Sequence, residues 1–307
     1  MDKKQRIVFM GTPDYATVIF QELLENDYNV VALFTQPDKP VGRHQELTPP
    51  HIKKFCLENG LSLPICQPNS LKEKSTIENI TALHPDIIIV AAFGQILPKE
   101  VLDIAPCINL HASLLPKYRG ASPIQQCLLN DDQFTGVTAM HMDIGLDSGD
   151  IIGYKYIKID KDTVVEELFD SLSMVAAKLT IEILKNFEKA QPKKQNLSLV
   201  SHCKKVNKKD GLVDFNDAKI FYNKYRAYKT WPDIYLENGL KIKICELIET
   251  DSINKQAQIL EIQKTYIVVG CQKGSIKIID VQPQSKKQMS IVDYIRGARL
   301  EVGDCIS

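Results

Sequence analysis

The chain has 307 residues, of which 44% are hydrophobic and 25% charged, and its 38 basic and 38 acidic side chains cancel to a formal net charge of zero. That is enough chain for two domains with sizeable cores, and no apolar run reaches the roughly 18 residues of a membrane span. Zero net charge argues against a nucleic-acid partner, but the distribution does not: from Lys204 onward 18 Lys and Arg stand against 13 Asp and Glu, which leaves the acidic excess before it and suits a polyanion at the tail half.

The start, M-D-K-K-Q-R, leads straight into an apolar run with no signal-peptide core, so a cytoplasmic protein is expected. The eight cysteines form no C-x-x-C pair and read as buried free thiols of a reducing compartment. The six histidines include no H-E-x-x-H, and no metal site is expected.

Residues 6–10 are a short apolar run closed by Gly11-Thr12-Pro13. A helical pattern over 14–25 and a second apolar run over 29–35 follow, so the chain opens as β-α-β with a parallel sheet. The first turn has neither G-x-G-x-x-G nor G-x-x-x-x-G-K-[ST], which disfavours a dinucleotide or a nucleoside triphosphate. Residues 36–50 hold Pro37, Pro40, Gly42, Pro49 and Pro50 and read as a long loop, a length that is often functional. A helix over 50–59, a short strand at 63–66 and a helix over 71–84 come next. The nearly all-apolar residues 86–92 suit a central parallel strand covered on both faces.

Pro98 opens a short helix, 107–112 reads as a strand, and Ser122 with Pro123 starts a helix reaching 130. Residues 135–142 and 151–159 are further strands. The clearest helix is 163–189: Thr163 and Glu166 form a capping box, and Leu168, Leu172, Val175, Leu179 and Ile183 make a core-facing stripe. A polar linker at 191–195 follows, and then the character changes. Short strands near 240–248, 257–262, 266–271 and 275–281 are separated by turns such as Asn238-Gly239 and Lys273-Gly274, the spacing of a small barrel. One helix near 217–227 precedes Trp231, the only tryptophan, which reads as a core anchor. The domain reading is 1–189 for an α/β domain, 190–207 for a linker and 208–307 for an all-β module.

Chemistry concentrates in residues 107–150. Successive strand side chains alternate faces, so Asn109 and His111 share one face at a strand end. An amide and an imidazole there suit work at a carbonyl: one donates to a developing oxyanion, the other exchanges a proton near neutral pH. Asp147, in a turn-rich stretch between Gly145 and Gly149, offers a carboxylate that orients or charges the imidazole. The competing reading of a lone strand histidine is a structural residue.

The stretches N-L-H-A-S-L-L-P-K-Y-R-G-A-S-P-I from Asn109 and M-D-I-G-L-D-S-G-D from Met142 resemble the signature of the 10-formyltetrahydrofolate-dependent formyltransferases. M-G-T-P-D-Y-A from Met10, F-T-Q-P-D-K-P-V-G-R from Phe34, A-A-F-G-Q-I-L-P from Ala91 and K-T-W-P from Lys229 extend the resemblance over nearly the whole chain. They make it most similar to the members that formylate methionyl-initiator tRNA. The resemblance implies a Rossmann-like catalytic domain followed by an OB-like barrel that helps hold tRNA. It implies 10-formyltetrahydrofolate as co-substrate and no metal; no membrane association and a monomer are expected besides. Asn109 matches the family's oxyanion-binding amide, His111 its catalytic imidazole and Asp147 its carboxylate. Ser113, Leu114, Leu115 and Pro116 match the segment that contacts folate, 93–97 the wall of the pterin pocket, and Arg43 lies in a loop expected to touch tRNA. The alternatives are formyl transfer to another amine, such as a sugar nucleotide or glycinamide ribonucleotide, and a catalytically inactive folate- or RNA-binding module.

Overall fold

The computed structural model describes residues 4–42 and 45–306. In chain order the elements are β1 (Ile7–Gly11), α1 (Asp14–Glu25), β2 (Val30–Phe34), β3 (Lys39–Val41), β4 (Glu46–Thr48), α2 (His51–Glu58), β5 (Ile65–Cys66), α3 (Lys74–Ala82), β6 (Ile87–Ala91), α4 (Lys99–Leu102), β7 (Cys107–His111), β8 (Arg119–Gly120), α5 (Pro123–Leu129), β9 (Phe134–His141), β10 (Ile151–Lys158) and α6 (Val165–Lys185). Then come β11 (His202–Cys203), α7 (Ala218–Tyr228), β12 (Ile234–Tyr235), β13 (Lys241–Ile253), β14 (Ile259–Ile262), β15 (Ile267–Gly270), β16 (Lys273–Gln282), β17 (Met289–Ser290) and α8 (Ile291–Ala298). Two compact units result: Met1–Pro123, Phe134–Lys158 and Phe169–Cys203 form the first, and Ile124–Gln133, Ile159–Leu168 and Lys204–Ser307 the second.

The first unit is built on a seven-stranded sheet in the order β10-β9-β7-β6-β1-β2-β5. Strands β5, β2, β1, β6 and β7 are parallel, while β9 and β10 join antiparallel. The central strands β1, β6 and β7 are buried along their whole length, which is why they read as unbroken apolar runs rather than as alternation. Helix α1 buries Tyr15, Ala16, Ile19, Phe20 and Leu23 at three- and four-residue steps. One face of the sheet, carrying Val8, Met10, Ala32, Phe34, Ile88, Val90 and Cys107, packs under Leu71, Ile80 and Val101. Register pairs Ile88 with Cys107 and Val90 with Asn109, so Cys107, Asn109 and His111 lie in one row. The apolar row gives way at Asn109 to polar groups. Strand order turns back beside β1, with β2 and β5 on one side and β6 and β7 on the other, and such sheets take their ligands outside the carboxyl ends of the strands there.

The second unit carries an antiparallel sheet in the order β12-β13-β16-β15-β14, with β17 paired to β16. This is the strand-rich C-terminal module that the turn spacing predicts. Helix α7 buries Phe221, Tyr222, Tyr225, Ala227 and Tyr228. The same helix buries Arg226, whose guanidinium donates to Thr163 O (2.9 Å) and Asp160 O (3.4 Å) and pairs with Asp131 at 3.1 Å. Helix α8 has no counterpart in the periodicity reading; its eight residues are too few to declare a period, although Ser290 caps it by accepting from Asp293 N–H at 3.1 Å.

The structure departs from other sequence expectations as well. Residues 36–50 are not an unstructured loop, because β3 and β4 pair within them as a hairpin. Helix α3 starts at Lys74 rather than 71, since Leu71 is drawn into the core ahead of it. At the start of α6 it is Glu167, not Glu166, that reaches back, accepting from Val164 N–H at 3.2 Å. Along α6, Val175 and Ile183 are only half-buried, and Ala176 and Leu184 fill the core beside Leu168, Leu172 and Leu179. Trp231 is 54% exposed and anchors no core. The eight cysteines are free thiols. Among the described residues no helix is long and apolar enough to cross a membrane, and no cluster of three His, Cys, Asp or Glu is arranged to hold a metal ion.

Candidate active site

Asn109 and His111 project from the carboxyl end of β7 and are 9% and 6% exposed, so both are largely shielded from solvent. Beyond β7 the chain is tied to β9 by Thr138. Its hydroxyl donates to Ser113 O (2.7 Å) and accepts from Leu115 N–H (3.0 Å). The Ser113 hydroxyl is itself committed to Lys117 O at 2.6 Å. Ser113 and Leu115 are therefore buried, and of the four residues matched to folate contact only Leu114 and Pro116 keep appreciable surface.

Three consecutive residues then address the polar cluster. The Tyr118 carbonyl lies 2.9 Å from His111 Nε2. A carbonyl can only accept, so Nε2 carries hydrogen and Nδ1 is left with the free lone pair. Nδ1 faces Asp147 Oδ2 at 3.7 Å, with side chains 7% and 12% exposed. Gly120 N–H donates to the same Oδ2 at 2.8 Å, and Asn109 Nδ2 donates to Oδ1 at 3.4 Å, a long bond. Gly120 adopts φ +122°, and a Cβ there would collide with the Cys203 carbonyl. Gly149 is also required, because a Cβ there would strike the His141 carbonyl, and so the turn holding Asp147 can lie close against the end of β9. Asp147 itself sits at φ +47°, in the left-handed region that a side chain disfavours.

The Cys203 thiol lies within 3.4 Å of the Ser122 backbone nitrogen and the Tyr118 carbonyl. Burial pushes this thiol up, and the Asp147 carboxylate adds to the shift, so it stays protonated and is a poor nucleophile. The structure thus brings the Asn109, His111 and Asp147 side chains together. It offers an amide donor, a ring nitrogen able to take a proton, and an anion to hold the imidazolium.

The other sequence candidates are placed less fully. Arg43 lies outside the described residues. The hairpin strands on either side of it are exposed, and the chain entering them is pinned at Asp38. The Asp38 carboxylate accepts from Gln67 Nε2 (2.7 Å) and from Lys53 Nζ (2.9 and 2.8 Å), and these two partners hold it below the usual carboxylate range. Within 93–97, Phe93 and Leu97 belong to the core and Ile96 is 77% exposed, so any wall this stretch presents to a ligand comes from 94–96. Sequence reading missed Tyr118, Gly120, Arg119 and Gln195. The first three stand inside the K-Y-R-G stretch of the signature but act through backbone or a buried contact, while Gln195 carries no sequence mark.

Comparison with known proteins gives a consistent picture. Residues 5–184 match the family model described as formyl transferase, and 205–299 match formyl transferase, C-terminal domain. The chain is 57% identical to the methionyl-tRNA formyltransferase of Nitratiruptor sp., over 97% of this chain and 99% of that one. It is 55% identical to the methionyl-tRNA formyltransferase of Sulfurimonas denitrificans, over 98% and 100%. Among solved structures, HypX from Aquifex aeolicus in complex with tetrahydrofolic acid superposes with a TM-score of 0.65 at 16% identity; the match covers 94% of this chain and 46% of that longer protein, and at this identity it speaks to the fold alone.

Proposed function

The chain belongs to the formyl transferase family, and from that premise we propose that it transfers the formyl group of 10-formyltetrahydrofolate to the α-amino group of methionyl-initiator tRNA. The observation that carries the reading is the meeting of the Asn109 amide, the His111 imidazole and the Asp147 carboxylate at the carboxyl end of β7. This donor set suits a carbonyl that gains negative charge while an amine loses a proton, and neither task calls on a metal. The bound folate supplies the activated formyl carbon, with Leu114 and Pro116 as the residues of the folate segment free to touch it.

Asn109 Nδ2 exchanges its long contact with Asp147 for the formyl oxygen as charge develops there. His111 Nδ1 receives the proton of the attacking amine, because Nε2 is already donated to Tyr118 O; the tetrahedral intermediate then collapses with cleavage of the bond between the formyl carbon and N10, and N10 of the departing tetrahydrofolate takes that proton from the imidazolium. Asp147, fixed by Gly120 N–H, faces that imidazolium. The 3.7 Å separation shortens by about 1 Å to give a charge-assisted hydrogen bond, a tightening ordinary on substrate binding. No covalent enzyme intermediate is needed, in keeping with the protonated Cys203. The excess of 18 Lys and Arg over 13 Asp and Glu from Lys204 onward, together with Lys39 and Arg43 of the 36–50 stretch, supplies cations for tRNA phosphates. In this reading the protein works as a monomer in the cytoplasm.

The test is formyl transfer by the purified protein to charged initiator tRNA, to free methionine and to amino-sugar nucleotides, with 10-formyltetrahydrofolate as donor. Charged tRNA is expected to be the only efficient acceptor. Turnover with an amino-sugar nucleotide and none with charged tRNA overturns the reading.

A further inference from the structure

The stretch from Lys193 to Cys203 reads in sequence as connecting chain, yet it is laced to both walls of the candidate active site. Lys193 exchanges two backbone hydrogen bonds with Ile151, each 2.8 Å. Ser201 takes Tyr118 N–H on its hydroxyl (3.0 Å) and Arg119 N–H on its carbonyl (2.9 Å), and β11 pairs in parallel with β8. Gln195 lies between these two anchors and is buried, with 8% exposure.

Every hydrogen-bonding capacity of the Gln195 amide is used. Its oxygen accepts from Arg119 Nε (3.1 Å) and Nη2 (2.7 Å). Its nitrogen donates to Asp147 O (2.9 Å) and to Gly149 O (2.9 Å). Arginine only donates and carbonyls only accept, so this amide has one possible orientation. Arg119 is itself 7% exposed, and its fork is met here by a neutral oxygen. A cation on the amide oxygen polarises the group and strengthens both N–H donors on its far side. Those donors bracket the turn that holds Asp147 in the left-handed region, a strained conformation that persists only where surroundings enforce it. The segment 118–120 completes the ring: its first residue holds His111, its second sets Gln195, and its third holds the Asp147 carboxylate.

We propose that Gln195 is a positioning residue for the reaction: its amide, oriented by Arg119, clamps the Asp147 and Gly149 carbonyls and so holds the Asp147 carboxylate in register with Asn109 and His111. The inference rests on the reading of Asp147 as the carboxylate of formyl transfer. It assigns a part in catalysis to a residue 48 positions along the chain from Asp147, whose amide reaches the Asp147 backbone rather than its carboxylate.

A double-mutant cycle tests it. Gln195→Ala is expected to lower kcat by about 10- to 100-fold, the scale of a misplaced reacting group, while KM for folate and for charged tRNA stays within about twofold. In an Asp147→Ala background the same change is expected to cost less than about twofold, because there is no carboxylate left to position. Gln195→Glu keeps the volume and the acceptor for Arg119 but loses both donors, so it is expected to fold and to lose rate as the Ala variant does. Equal losses from Gln195→Ala in both backgrounds, a loss confined to KM, or wild-type kcat in Gln195→Glu overturns the proposal. Failure of the underlying reading looks different: either the wild-type protein does not formylate charged tRNA, or Asp147→Ala turns over at full rate.

Discussion

Replacing Asp147 by Asn keeps size and shape and removes one charge. The new side-chain oxygen can still accept from Gly120 N–H, as Oδ2 does now at 2.8 Å, so the turn should hold. The new amide nitrogen then meets Asn109 Nδ2 where Oδ1 accepts today, and no anion faces His111. At 3.7 Å, a carboxylate and an imidazolium attract by about 4.5 kcal/mol at an effective dielectric of about 20, and by about 1 kcal/mol in bulk water. Side chains that are 7% and 12% exposed belong nearer the first limit, and some screening remains. A loss of about 3 kcal/mol from the transition state that carries the imidazolium is expected, or about 100-fold in kcat. The assay is initial rates of formyl transfer to charged initiator tRNA at saturating concentrations of both substrates, with folate affinity measured by calorimetry. The expected result is a fall in kcat with folate affinity unchanged. A kcat within about threefold of wild type, or a loss of folate affinity that accounts for the whole effect, refutes the electrostatic role given to Asp147.

Asn109→Ala and His111→Ala are each expected to slow transfer by about 100-fold or more without unfolding the protein, as judged by circular dichroism, and near wild-type turnover would remove that residue from the mechanism. Arg43→Ala is expected to raise KM for charged tRNA and weaken its salt dependence while folate binding stands; identical tRNA kinetics across a salt series would rule the residue out as a tRNA contact. Arg226→Met strips the bonds to Thr163 O and Asp160 O and the ion pair with Asp131 from a position 1% exposed, so urea unfolding should report a loss of about 3 kcal/mol, and less than about 1 kcal/mol would contradict the packing account. Burial pushes the thiols of Cys56 up to about 11 and of Cys107 and Cys271 up to about 12, whereas the unfolded chain releases those protons near pH 8.5. The unfolded state therefore binds fewer protons above that point: stability is complete below about pH 8.5 and falls as pH rises toward 11, which urea midpoints measured from pH 8 to 11 will show as a decline or, if flat, disprove.

Much of the site was legible from local pattern because its first two members obey a local rule. In a strand the side chains alternate, so the string C-I-N-L-H by itself puts Asn109 and His111 on one face, and the sheet register then adds only that this face continues the apolar row of Val90 and Cys107. The same holds for the parallel β-α-β opening and for the buried runs of β1 and β6, where hydrophobic content alone implies cover on both sides. Position in three dimensions obeys no such rule. Asp147 meets Asn109 from 38 residues away, and Gly120 N–H meets Asp147 across 27. Gln195 looks like any other polar residue of a linker until Arg119 and two carbonyls surround it. Backbone donors such as Gly120 leave no trace in side-chain chemistry. Trp231 shows the reverse failure: a large apolar side chain predicts burial, but whether a core exists to receive it depends on how α7 and the strands pack, and it ends 54% exposed. What the sequence determined was whatever repeats with the period of a strand or a helix. What only the tertiary structure decided was which distant groups meet, because those contacts are chosen by the packing of the whole chain and not by any neighbour in sequence.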